Sequence, residues 1–291
     1  MVSGISSGTD SLNQGDSVSR ILLPEGYTAT VFSTGIIGAD GLVFSSSGFL
    51  YAVSESQGAV YRIDDSGNAV VIADSLKNPE GIAVDDLESI YVTEDVENGR
   101  LLLIEPSGKV TVLADSLQYP EGVVWMDDGS LIVTESSLEA TSVPPVQTGL
   151  RRIDESGSSR IFSSLYLWSC SDLVADCNGI LYVCNELSGY LFVQASVLRI
   201  DPVSGDWKVL CTGLHSCEGI CFGLDGEFPL YVAEEDLGDG SGRISTVDED
   251  GTVTFFARGF YNIEDVVVGP SGDIYVSEDS TGLIILIRRD D

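Results

Sequence analysis

Asp40, Glu80, Glu121, Asp172, Glu218 and Glu264 stand 40, 41, 51, 46 and 46 residues apart, each at the head of a short apolar run. Carboxylates recurring at such a period, and so brought to one opening, would repel one another. Where water is partly excluded they could not all stay ionised without a counter-charge. Oxygen donors with no thiolate or imidazole cluster beside them suit a hard cation, Ca²⁺ first and Mg²⁺ or Mn²⁺ next. A single divalent metal would use only part of the set. A plainer use of repeated acids is also open, in which they cap backbone amides or bond to the next repeat.

The elements that must position these acids follow from the repeat. The second unit reads as strand A at 80–85, a turn at 86–89, strand B at 90–94 and a loop with Asn98-Gly99. Strand C follows at 100–105, then Pro106-Ser107-Gly108 and strand D at 109–114. Each is a short β-rich run ended by turn residues. A period of 40 to 51 residues with four strands is that of a propeller blade, so six copies predict an all-β, six-bladed β-propeller. The sixth unit has strands at 264–268, 274–278 and 283–288 and no fourth. Residues 27–33 (YTATVFS) match the D strands KVTVLA and TVTFFA and are expected to complete that blade, closing the ring. Residues 1–19, rich in Ser and Gly, read as a flexible leader without a signal-peptide apolar core, and 20–291 as one propeller domain. The chain is then either intracellular or exported with a signal already removed.

In an antiparallel A–B pair the start of A and the end of B lie at the same end of the blade. A second tier of polar groups should therefore surround the first. Its members are Glu94, Glu135, Asn185, Glu234 and Glu278 at the B-strand ends, expected to line a substrate pocket, with Glu55, Asp95, Glu186, Glu235 and Asp279 beside them. His215, the only histidine, precedes Glu218 by three residues and is expected to edge the same mouth. Long B–C loops at 136–149, 187–196 and 235–242 belong to consecutive blades and would build a one-sided wall over it.

With 46 acidic against 14 basic residues the net charge is −32, which excludes nucleic acid and anionic lipid as partners. No apolar run approaches the roughly 20 residues of a membrane span. A small-molecule substrate or a cationic ligand is the expected partner, bound by a monomer. The six cysteines, Cys170 to Cys221, fall within the fourth and fifth units without a zinc spacing; Cys170 and Cys217, before corresponding strand starts, are the pair best placed for a bridge.

The six-unit period and the Pro-Glu-Gly or Asp-Gly lead into strand A, at Pro79-Glu80-Gly81, Pro120-Glu121-Gly122 and Asp40-Gly41, resemble the senescence-marker-protein/gluconolactonase (regucalcin-like) propellers over about 27–288. The resemblance implies one divalent metal at the channel mouth, with ligands falling on Asp40, Glu121, Asp172 and Glu218. It also implies metal-assisted hydrolysis of a small lactone or ester, with Asp172 or Glu218 as general base. All four positions are acidic here, where the family mixes Asp with Asn. More negative charge tightens cation binding and weakens the metal as a Lewis acid. Two alternatives therefore stand beside the hydrolase: a non-catalytic propeller holding cations or a cationic ligand, and a protein-interaction scaffold.

Overall fold

Alternating apolar residues in runs of five to nine, punctuated by turns, build twenty-four strands in a computed structural model that describes residues 18–136, 149–162, 169–186, 195–235 and 242–290. Strand β1 (Tyr27–Thr34) comes first. Blade one is β2 (Ala39–Phe44), β3 (Leu50–Ser54), β4 (Ala59–Ile63) and β5 (Ala69–Ala73), and blade two is β6 (Pro79–Val84), β7 (Ile90–Glu94), β8 (Glu97–Ile104) and β9 (Val110–Gln118). Blade three is β10 (Pro120–Trp125), β11 (Leu131–Glu135), β12 (Gly149–Asp154) and β13 (Gly157–Phe162), and blade four is β14 (Cys170–Ala175), β15 (Leu181–Asn185), β16 (Ser196–Ile200) and β17 (Trp207–Thr212). Blade five holds β18 (Cys217–Phe222), β19 (Leu230–Glu234), β20 (Gly242–Val247) and β21 (Val253–Phe260); blade six holds β22 (Ile263–Val268), β23 (Ile274–Glu278) and β24 (Leu283–Arg289).

Each blade is a four-stranded antiparallel meander, and β1 pairs with β24 from Tyr27↔Arg289 to Thr34↔Leu283. The N-terminal strand thus supplies the sixth blade's fourth strand, as its sequence predicts. The segment before it is anchored too. Leu22 exchanges backbone hydrogen bonds with Arg258 on β21, and Val18 packs on the core between blades five and six. The expected leader ends no later than Val18; residues 1–17, and nearly all of the three long B–C loops, lie outside the described residues.

The hydrophobic core is divided into six clusters, one in each groove between neighbouring blades. The cluster joining blade six to blade one unites Tyr275, Ile284 and Leu286 with Ala39, Leu42 and Leu50. Strands β3, β11, β15 and β23 are buried at every position because a neighbouring blade covers each of their faces. Burial of this kind stabilises by about 25 cal/mol per Å² of apolar area, and it makes each blade depend on the next all the way round.

Candidate functional site: an acidic channel mouth

The innermost strands share an irregularity that aims their acids. In every blade the pairing of strand A with strand B slips by one residue, as between Pro79↔Glu94 and Ile82↔Val92, and between Cys170↔Asn185 and Leu173↔Val183. Such a bulge places two residues of A opposite one of B and bends the strand. In blades two, three and six the extra N–H it leaves is satisfied by a hydroxyl on strand B: Gly81 donates to Thr93 Oγ1 and Gly122 to Thr134 Oγ1, both at 2.8 Å, and Asp265 to Ser277 Oγ at 2.9 Å. The third position is glycine in four blades. A Cβ on Gly81 would lie 2.1 Å from the carbonyl oxygen of Glu121 in the next blade.

Counted from the strand starts, the second position holds Asp40, Glu80, Glu121, Ser171, Glu218 and Glu264. Blade four is therefore out of the expected register. Ser171, not Asp172, occupies the shared position, and Asp172 stands where other blades have glycine. Asp265 takes the same place in blade six. Both tie their blade to the following one: Ile220 N–H donates to Asp172 Oδ2 at 3.1 Å, and Leu42 N–H to Asp265 Oδ2 at 2.7 Å. Ser171 likewise donates its hydroxyl to the carbonyl of Cys217 at 2.6 Å.

The six acids named from the sequence all line one central cavity of about 580 Å³. Glu55, Asp95, Glu186, Glu235 and Asp265 join them, so eleven carboxylates face it among the described residues, and no Lys, Arg or His is among its described lining residues. Two triads within it, Asp40/Glu55/Glu80 and Glu80/Asp95/Glu121, offer carboxylate oxygens within 4.8 Å of one another. Glu80 belongs to both. The two triads span blades one to three and include Asp40 and Glu121 of the ligand set that the resemblance implies, while Asp172 and Glu218 line the cavity outside them.

Charge at the mouth is held against strong opposition. Burial, followed by repulsion from neighbouring carboxylates, pushes Asp40, Glu80, Glu121, Glu218 and Glu264 well above the ordinary carboxylate range. Burial raises Asp172 to about 7, against the pull of the Ile220 and Leu173 N–H groups. It raises Asp95 to about 6, with hydrogen bonds to Glu80 and Asn78 acting in the other direction. Oxygen-only donors whose ionisation is suppressed by their own crowding fit a hard divalent cation, because its charge relieves both causes.

The expected second tier lies one residue further along the chain. Glu94, Glu135, Glu234 and Glu278 are fully buried and do not line the cavity. Each latches its blade to the segment that leads in from the blade before: their carboxylates accept the backbone N–H of Lys77, Gln118, His215 and Tyr261, respectively. Each also pairs with an arginine, Arg100, Arg151, Arg243 and Arg20 in turn. Asn185, also fully buried, donates to Ser196 Oγ at 3.5 Å. Successive side chains of a strand point to opposite sides, so the residue after the latch faces the channel, as Asp95, Glu186 and Glu235 do. The cross-strand partner of Glu94 is Arg100 and that of Glu234 is Arg243, a sequence signal that marks the latch acids. His215 is exposed. Its Nδ1 lies 3.1 Å from the Glu235 carbonyl, and its ring lines a separate cavity of about 330 Å³ with Arg243, Phe255 and Arg258. All six thiols are free. Cys217 sits beside Cys184, across the blade-four to blade-five groove, rather than bridging to Cys170.

A ring of six four-stranded blades around an acid-lined channel defines the class: a six-bladed β-propeller. No model of a known protein family matches the sequence, and no curated protein matches it. Solved structures do. A gluconolactonase from Xanthomonas campestris superposes with a TM-score of 0.75 at 13% identity, over 92% of this chain and 91% of that one. The PQQ domain of a pyranose dehydrogenase from Coprinopsis cinerea gives 0.72 at 13%, over 92% and 97%. A streptogramin B lyase gives 0.63 at 13%, over 91% and 98%. Gluconolactonase structures thus share the fold, as the lead into strand A suggests. Three chemistries on one scaffold leave the activity to be argued from the site.

Proposed function

We propose that the chain is a divalent-metal-dependent hydrolase acting on a small lactone or ester in the mouth of the channel. The observation that carries the reading is the pair of carboxylate triads, Asp40/Glu55/Glu80 and Glu80/Asp95/Glu121, in a cavity with no cationic side chain among its described lining residues. These residues would hold the cation, Ca²⁺ best and Mg²⁺ or Mn²⁺ next, since all donors are carboxylate oxygens. A bound cation supplies polarisation of the carbonyl. Asp172 supplies the base. With one oxygen fixed by Ile220 N–H and its proton affinity raised to about 7, it is poised to take a proton from water near neutrality. The water oxygen then bonds to the carbonyl carbon, the C–O bond of the ester breaks, and the proton passes from Asp172 to the leaving oxygen. Glu218, also raised and lining the cavity, is the second candidate. The similarity in fold to a gluconolactonase agrees with this reaction class.

A second reading is favoured by the absence of neutral donors in both triads: a cation surrounded by carboxylates is held tightly and polarises a carbonyl weakly, which suits a non-catalytic cation or ammonium receptor. Calorimetric titration of chelator-stripped protein with Ca²⁺, Mg²⁺ and Mn²⁺, beside the Asp40→Asn/Glu80→Gln/Glu121→Gln variant, tests the site. Saturable binding lost in the variant, together with metal-dependent turnover in a lactone and ester screen, is expected. Binding without turnover selects the receptor; no binding by the wild type removes both readings.

A further inference from the structure

The cavity has a lower half that the acids do not occupy. Along β2, β10 and β22 burial repeats as one pattern, with partial exposure at the second position and again at the fifth and sixth. The fifth and sixth positions include Phe44, Val84, Val124, Trp125, Phe222 and Val268, all lining the same cavity as the carboxylates. These large apolar side chains pack against the clusters in the blade grooves and stay partly exposed where they line the cavity. Their walls are preformed: Phe44 stands edge-on to Tyr275 at 5.0 Å, and Phe222 edge-on to Tyr182 and Phe228 at 5.4 and 5.5 Å. Among the side chains of the described lining residues the only polar hydrogens in this half are the indole N–H of Trp125 and the thiol of Cys221, and every carboxylate belongs to the upper half. Four residues of extended strand separate the two levels, about 13 Å at the usual rise.

A ligand bearing a hydroxyl on every carbon would find almost no side-chain partners for its hydroxyls in the lower half, which is unfavourable for each one left unpaired. An apolar tail meets apolar side chains there. We propose that the channel selects a lactone or ester with an alkyl or aryl tail, its carbonyl end at the carboxylates of blades one to three and its tail reaching down to Val124, Trp125 and Phe222. The proposal rests on the small-ligand reading of this same cavity and narrows its substrate class away from polyhydroxylated lactones.

Binding, not turnover, tests it. δ-Valerolactam and its derivatives with two-, four- and six-carbon tails, none of them hydrolysed, are titrated calorimetrically into Ca²⁺-loaded and chelated protein, beside glucono-δ-lactam. Affinity is expected to rise about four-fold per added methylene until the lower half is filled, with glucono-δ-lactam the weakest ligand. The Val84→Thr/Val124→Thr variant, checked for an unchanged unfolding midpoint, should flatten that slope. If it fails to fold, the wild-type series alone decides. A flat series, or tighter binding of glucono-δ-lactam, overturns the proposal. A steep series in protein that takes up no Ca²⁺ upholds it while the metal-dependent reading fails.

Discussion

Asp172 can be made to report the electrostatic state of the channel by a change of one atom. Asp172→Asn removes the charge and keeps a side-chain oxygen for the Ile220 N–H, which Asp172 accepts at 3.1 Å. Burial raises the Asp172 carboxyl from 3.8 to about 7, so the folded chain holds this proton more tightly than the unfolded chain does. Its effect on stability is nil below pH 4. It turns increasingly unfavourable as the pH rises from 4 to 7, and is constant above that. At about 1.4 kcal/mol per pH unit, the ionised carboxylate costs the folded state about 4 kcal/mol at pH 8. Chelated variant and wild type should therefore unfold at the same urea concentration at pH 4, and diverge steadily above it. By pH 8 the variant should be the more stable by up to about 4 kcal/mol. Urea unfolding followed by circular dichroism at pH 4, 5.5, 7 and 8 measures this. A difference that does not vary with pH, or a variant less stable at pH 8, would show that the contacts of the carboxylate with Ile220 and Leu173 outweigh its burial.

The adjacent acids Glu94 and Asp95 should separate on mutation. Glu94→Gln leaves Arg100 without its buried partner and should cost about 3 kcal/mol in urea unfolding with cation affinity retained, whereas Asp95→Asn should weaken cation binding in calorimetry without loss of stability. Gly81→Ala sets a methyl group 2.1 Å from the Glu121 carbonyl and 2.9 Å from Thr93 Oγ1; a cost of about 3 kcal/mol or more is expected in the same assay. Saturating Ca²⁺ should raise the thermal midpoint of the wild type most at pH 8, where the crowded carboxylates are ionised, and least near pH 4.

Much of the ring can be read before any coordinates. Tyr27–Thr34 carries the pattern of a blade's last strand at the wrong end of the chain, which is enough to infer closure, and it pairs with β24 as that pattern requires. Asp40, Glu80, Glu121, Glu218 and Glu264 precede Leu, Ile or Val two residues on, and the periodicity brings them to one cavity. The sorting of neighbouring acids is less visible. Glu94-Asp95 and Glu234-Glu235 look alike as pairs, yet one member latches a blade and the other faces the channel. The difference lies in cross-strand register, and only the arginines opposite Glu94 and Glu234 hint at it.

The slip in blade four shows why register is the limit. A bulge adds one residue between the buried first and fourth positions of strand A, so the acid at position two and its neighbour at position three both come near the channel. A lone aspartate after Ser171 therefore reads as the ring acid when spacing is the only guide, and 51 residues from Glu121 is no less plausible than 50. What separates the two positions is the approach of the next blade. Position three faces its backbone, which admits glycine at Gly41, Gly81, Gly122 and Gly219, or an aspartate that hydrogen-bonds to it, as at Asp172 and Asp265. In blade four the exchange of glycine for aspartate goes with the loss of the ring acid, whereas blade six keeps Glu264 beside Asp265. Blades one to three keep glycine at position three and gather their carboxylates into the two triads. Blade four gives up its ring acid to a serine, and the neighbouring aspartate accepts an inter-blade hydrogen bond from Ile220 while burial raises its carboxyl to about 7. On the proposed reading, these two substitutions in blade four would separate a cation-holding side of the mouth from a proton-handling side, the division of labour that metal-assisted hydrolysis requires.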